Sequence, residues 1–194
     1  MKKERLQMTL PINQMCIEMI QANPLRLAEI VNQTPEICLV AVRESGIALE
    51  YVKEQTEEIC LEAVKTDGCA LAYVKEQTPE ICLAAVKRYG CALKYVKEQT
   101  HELCLVAVKQ SEMALEFVKE QTSKICLEAM KKNKWALEYV EEQTEEIKLM
   151  SLFGKYDHLD EFGDIYDLIE APTTEMSFIY ELFKNSREYQ IPSY

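Results

Sequence analysis

The chain repeats itself every 22 residues, and no other feature constrains its fold as tightly. Gln-Thr recurs at Gln33-Thr34, Gln55-Thr56, Gln77-Thr78, Gln99-Thr100, Gln121-Thr122 and Gln143-Thr144. The stretch AYVKEQTPEICLAAVK, residues 72–87, reads almost like EYVKEQTEEICLEAVK, residues 50–65. Near-identical units at a fixed spacing predict a stacked repeat architecture. Such architectures hold other molecules more often than they transform them.

Each unit reads as two helices. In the template of residues 33–54, Thr34 suits an N-cap, because its hydroxyl can accept from a free amide of the first turn. Pro35 and Pro79 follow at the first helical position, where a missing N–H costs nothing. Glu36, Glu58, Glu80 and Glu102 suit the positive end of the helix dipole. A first helix runs through Ile37, Cys38, Leu39, Ala41 and Val42. Gly46, Gly68 and Gly90 mark its end, with a left-handed residue as the expected device. A second helix carries Ala48, Leu49, Tyr51 and Val52, so each unit is a pair of two- to three-turn helices.

One rival is a single long helix, because an eleven-residue repeat winds a right-handed supercoil. Folded onto that period, the apolar residues fill seven consecutive classes of eleven and surround the helix at about 98° per residue. That helix would have no polar face, whereas two short helices facing different ways keep one. Short helices are marginal alone, so their apolar faces must be buried against neighbouring units. The expectation is an all-α fold: an α-solenoid of stacked two-helix repeats with a C-terminal helical cap. Residues 1–32 read as an N-terminal cap and diverged repeat, residues 33–153 as five full repeats and one partial, and residues 154–194 as an acidic, aromatic-rich helical segment.

Eight cysteines invite a redox or metal reading, and their spacing argues against it. Cys16, Cys38, Cys60, Cys82, Cys104 and Cys126 occupy one column, 22 residues apart. Stacked helices lie about 8–10 Å apart, beyond the ~7 Å Cα separation a disulfide tolerates. No CxxC occurs, and His101 and His158 are the only histidines. The thiols therefore read as small buried hydrophobes, with no metal and no cofactor expected. Cys69 and Cys91 share a second column with Ile47, Met113 and Trp135, for which core packing is again expected. Tyr51, Tyr73, Tyr95, Phe117 and Tyr139 read as core residues with a polar edge. Lys53, Lys75, Lys97 and Lys119 beside Glu54, Glu76, Glu98 and Glu120 read as a solvated, self-neutralising ridge. The invariant Gln column reads as a source of hydrogen bonds between layers.

Columns that vary between repeats are the candidates for a partner. They include Glu44, Thr66, Arg88, Gln110 and Lys132, and next to them Ser45, Asp67, Tyr89, Ser111 and Asn133. Both lie at the end of the first helix, so they line one rim. Arg88, Tyr89 and Trp135 are residue types that often anchor interfaces, and Gln110 and Lys132 share the rim. A drifting, solvated surface would look the same. From Ser151 to Tyr194 three basic residues face nine acids, including Asp160, Glu161, Asp164 and Asp167. Nine aromatics there predict helices over roughly 158–170 and 174–186, which cap the stack or present an acidic docking surface.

The unit YVKEQTPEICLAAVKRYGCALKYVKEQT, residues 73–100, resembles a family of short helical repeats known only as a domain of unknown function. The pattern recurs five times, with the glycine replaced by Glu112 and Lys134 in the last two units. Such repeats are common in large DNA viruses and in some intracellular bacteria. The resemblance implies a viral or host-associated origin and an interaction role, and it supplies no catalytic residues.

Composition narrows the partner. A net charge of −11 disfavours direct nucleic-acid binding, which needs Lys and Arg against phosphate. No apolar run is long enough to span a membrane, and the N-terminus lacks a secretory pattern, so a cytoplasmic protein is expected, in the host cell if viral. The leading expectation is a non-enzymatic protein-binding scaffold that sequesters a host protein. The alternative is an acidic inhibitor that occupies the basic nucleic-acid-binding groove of a target protein.

Overall fold

The computed structural model describes residues 9–144, with 147–148, 173–174 and 177. Its described elements alternate between α-helices and 3₁₀ helices. The α-helices are α1 (Thr9–Ala22), α2 (Pro35–Glu44), α3 (Glu57–Thr66), α4 (Pro79–Arg88), α5 (His101–Gln110) and α6 (Ser123–Lys132). The 3₁₀ helices are η1 (Pro24–Glu29), η2 (Gly46–Tyr51), η3 (Gly68–Tyr73), η4 (Gly90–Tyr95), η5 (Glu112–Phe117) and η6 (Lys134–Tyr139). The chain is an all-α solenoid of helix pairs. It forms two compact units, Met1–Val118 and Lys119–Tyr194. No described helix is long and apolar enough to cross a membrane.

The α-helices start as the sequence dictates. Thr34, Thr56 and Thr78 stand extended before their helices, and each hydroxyl accepts an N–H three residues on, at 3.3 Å. The second helix differs from the expected α-helix. It is six residues of 3₁₀, closed by bonds such as Ala48 N–H to Ser45 O and Val52 N–H to Leu49 O. Length explains the choice. Ten α-residues span about 15 Å, and six residues span ~12 Å as 3₁₀ but only ~9 Å as α. The tighter winding lets the short segment cover more of its longer partner. With three residues per turn it also buries Ala48 and Leu49 while leaving Ile47 and Glu50 outside.

The glycines play another part than the one the sequence suggested. None of the three takes a left-handed φ. The residue before each is extended, as at Ser45 (φ −152°, ψ 112°), and serves both as C-cap of one helix and as N-cap of the next. A single extended residue redirects the chain, so no left-handed reversal is required. What demands glycine is space. A Cβ on Gly46 would lie 2.5 Å from Ala63 O and 2.9 Å from Asp67 Cβ. The end of the next α-helix fills the place a side chain would need.

The core repeats with the sequence. Ile37, Cys38, Ala41 and Val42 of α2 and Ala48, Leu49 and Val52 after it are buried, as are their equivalents in later repeats. Full burial of one such Leu or Ile contributes about 1.5–3 kcal/mol.

The Gln column stitches adjacent repeats. Gln33 Nε2 donates to Leu27 O (3.0 Å) and to Tyr51 O (2.9 Å). Its Oε1 accepts from Lys53 N–H (3.0 Å) and from the Cys38 thiol (3.9 Å). Gln55 and Gln77 repeat all four contacts. One side chain thus ties together backbone groups of two successive repeats: it adds a second donor at Leu27 O, which also accepts from Ile30 N–H, and it pairs Tyr51 O and Lys53 N–H. Thiols such as Cys38, Cys60 and Cys82 are therefore hydrogen-bond donors as well as small hydrophobes, and none of the eight cysteines forms a disulfide. Burial pushes Cys38, Cys60, Cys82 and Cys126 above the ordinary thiol range.

The Lys column is a second stitch, where a solvated ridge was expected. Lys53 Nζ donates to Val31 O (2.9 Å), Lys75 Nζ to Lys53 O (2.9 Å) and Lys97 Nζ to Lys75 O (2.9 Å). Each ammonium thereby holds a carbonyl 22 residues back.

Candidate docking surface

The 3₁₀ helices place one column on the surface that the sequence assigned to the core. At Ile47 the second residue of the 3₁₀ helix is exposed, since its neighbours Gly46, Ala48 and Leu49 take the inner positions. In the unit Met1–Val118 that column holds Leu25 (40 % exposed), Ile47 (38 %), Cys69, Cys91 and Met113 (50 %). Cys91 is buried and Cys69 half-buried, so core packing holds for the first thiol and fails for Ile47 and Met113. Large apolar side chains exposed in the same column at Leu25, Ile47 and Met113 need a physical account, because water gains nothing from them.

Tyr89 accompanies this column. It stands between α4 and η4 and is 44 % exposed. Together with Thr66, Asp67, Gly68, Cys69 and Arg88 it lines an open depression of ≈ 440 Å³. The Cys91 thiol beside it, through charge and a hydrogen bond, pushes the Tyr89 phenol above the usual range. Cys91 in turn donates toward Ser111 Oγ at 3.9 Å. The ring is thus held from below while much of it faces water, the state of an anchor before its partner arrives.

Arg88 and Gln110 lie on the same rim, and each has a stacking duty that the sequence did not reveal. Arg88 Nε donates to Thr66 O at 3.2 Å, one repeat back. Gln110 Oε1 accepts from Gly90 N–H at 2.9 Å. The varying columns are therefore not free of the repeat, because helix ends need capping whichever residue supplies it. The structure brings Arg88, Tyr89 and Gln110 to one edge of α4 and α5. Within Lys119–Tyr194, Lys132 takes the place of Arg88 and Gln110 and Trp135 that of Ile47 and Met113; both are exposed, so core packing fails for Trp135 too, and its N–H donates to Asn133 Oδ1. Asp160, Glu161, Asp164 and Asp167, with the helices expected over 158–170 and 174–186, lie outside the described residues.

Sequence reasoning missed Leu25, Ile47 and Met113. The available signal was a large apolar residue next to the glycine column, followed three residues later by Ala28, Glu50 or Glu116. That spacing marks one outer face of a 3₁₀ helix, but an α-helical reading hides it.

Comparison with known proteins places the repeats. The family model "Domain of unknown function (DUF4116)" matches residues 34–77, 56–103 and 78–123. These repeats belong to that family, and each match spans two successive units. No curated protein and no solved structure matches the chain.

Proposed function

We propose that the chain is a non-enzymatic scaffold that binds a protein partner along the 3₁₀ edge of residues 9–118. The observation that carries this reading is the exposed apolar column Leu25, Ile47 and Met113, with Tyr89 beside it. Leu and Met supply apolar area, Tyr supplies a rigid ring with a polar tip, and Arg88 frames the depression. Catalysis is not part of the proposal. Burial disfavours the reactive thiolate form of Cys38, Cys60, Cys82 and Cys126. The finer reading is a viral or host-associated factor that sequesters a host protein in the cytoplasm, and it follows from the resemblance alone.

The test uses the full chain as bait, beside a Tyr89→Glu/Met113→Glu variant. A partner captured by the parent chain and then measured by calorimetry should bind the variant at least about thirtyfold more weakly, as losing anchor residues implies. Circular dichroism should be unchanged. Equal affinity for both chains overturns the reading. The acidic-inhibitor alternative draws on the net charge of −11 and predicts a basic partner whose affinity falls steeply with salt. Affinity that is flat in salt removes it.

A further inference from the structure

The outward face of the α-helices carries a pattern of its own. Glu36, Leu39, Val40 and Arg43 of α2 are spaced i, i+3, i+4, i+7 and share one face. The same places hold Glu58, Leu61, Glu62 and Lys65 in α3, then Glu80, Leu83, Ala84 and Lys87 in α4, and Glu102, Leu105, Val106 and Lys109 in α5. The acids and bases are exposed, and the residues between them are half-buried. Three lanes therefore run across α2–α5: acidic at one edge, mostly apolar in the middle, basic at the other, whereas α1 has Gln14, Glu18 and Gln21 in these places. Helix dipoles account for the signs at the two edges. They do not account for the apolar lane, which would sit more favourably against another protein surface than in water. Between α4 and α5 it deepens into an open groove of ≈ 590 Å³ lined by Pro79, Leu83, Leu103 and Val106, with Glu102 and Lys87 on its rim. At α3 the lane is charged, and Glu62 is neutralised there by Arg43 (3.0 Å) and Lys65 (3.7 Å).

Such a face complements itself. Turned half a revolution about an axis parallel to the stack, a second copy keeps its layers in step and reverses its helices. Its basic lane then covers the first copy's acidic lane, and apolar lane meets apolar lane. Turned about the helix direction instead, acid would meet acid. We propose that the protein forms a two-fold dimer through this α-helical face, with the symmetry axis along the stack and passing near Ala84. Glu80 then faces Lys87 of the second copy, and Glu102 faces Lys109 of the second copy. Self-complementarity of one patch is what a closed isologous dimer requires. Four helices about 15 Å long and roughly 9 Å apart offer a footprint of roughly 500 Å², below the ~800 Å² per partner of a standard interface. The dimer is therefore weak. It uses a different face from the one proposed for the partner, so either proposal can fail while the other stands.

Sedimentation equilibrium on the full chain tests this between about 10 µM and about 1 mM, the range such a footprint implies. The mass should climb from 22.4 kDa toward twice that value. Glu80→Lys/Glu102→Lys and Lys87→Glu/Lys109→Glu should each stay monomeric, and an equal mixture of the two should associate again. Each pair of reversals moves the net charge of −11 by four, so both variants stay negative and general attraction cannot pair them. A parent chain that is monomeric throughout, a variant that associates as the parent does, or a mixture that stays monomeric would each overturn the proposal.

Discussion

Three repeats carry a glycine at the first residue of the 3₁₀ helix, Gly46, Gly68 and Gly90, whereas two carry Glu112 and Lys134 there. Their turns are alike. Tyr89, before Gly90, lies at φ −150° and ψ 109°, and Asn133, before Lys134, at φ −151° and ψ 119°. Glycine is thus not what makes the turn. It records how close the next helix end comes: a Cβ on Gly68 would lie 2.7 Å from Ala85 O and 2.8 Å from Tyr89 Cβ. A residue repeated in a solenoid can therefore report contact between units where it seems to report local conformation.

Substitutions can break or sharpen this contrast. The largest effect should be indifferent to it. Gln77→Ala removes bonds to Tyr95 O and Lys97 N–H, and Gln121→Ala removes those to Tyr139 O and Glu141 N–H. Each should cost about 2–4 kcal/mol in urea denaturation, from about 1 kcal/mol per bond plus the groups left unpaired. A cost confined to the glycine-bearing repeat would show that the clamp depends on close packing. Next comes the contrast itself. Gly68→Ala should destabilise by about 1–3 kcal/mol through overpacking, and Glu112→Ala should shift stability by less than about 0.5 kcal/mol. Equal effects at the two sites would refute the spatial account of glycine.

Lys75→Met, which gives up the bond to Lys53 O, should cost about 0.5–1 kcal/mol, read as a melting point lower by about 1–4 °C. The smallest effect is alkaline. Thiols raised by burial keep their protons in the fold at pH values where the unfolded chain, near an ordinary thiol value of about 8.5, releases them. Their contribution is complete below about pH 8.5 and falls as pH rises above it. Thermal melts from pH 7 to 10 should show a decline that shrinks when Cys60 and Cys82 are both changed to Ala. An unchanged slope would mean that the thiols are not its source.

Much of the architecture was legible because it is written in one dimension. Thr34 before Pro35, Glu36 in the first turn and the buried run Ile37, Cys38, Ala41, Val42 each follow from rules that act within a few residues. The bridging duty of the Gln column was legible too, since helix propensity gives no reason for a Gln to recur unchanged in every repeat. The winding of the second helix was not. Ile47 looks like a core residue at α spacing and becomes a surface residue at three residues per turn. Arg88 and Gln110 varied like surface residues, although each caps a helix end 20 or 22 residues away.

The sequence by itself determined that units of 22 residues must stack, because no unit has enough apolar area to fold alone and every unit offers the same face. Only the tertiary structure decided which side chains the stack leaves in water and which backbone groups the Gln and Lys columns hold. Those outcomes depend on how far apart successive layers settle, and that distance is a property of two packed surfaces rather than of either sequence segment.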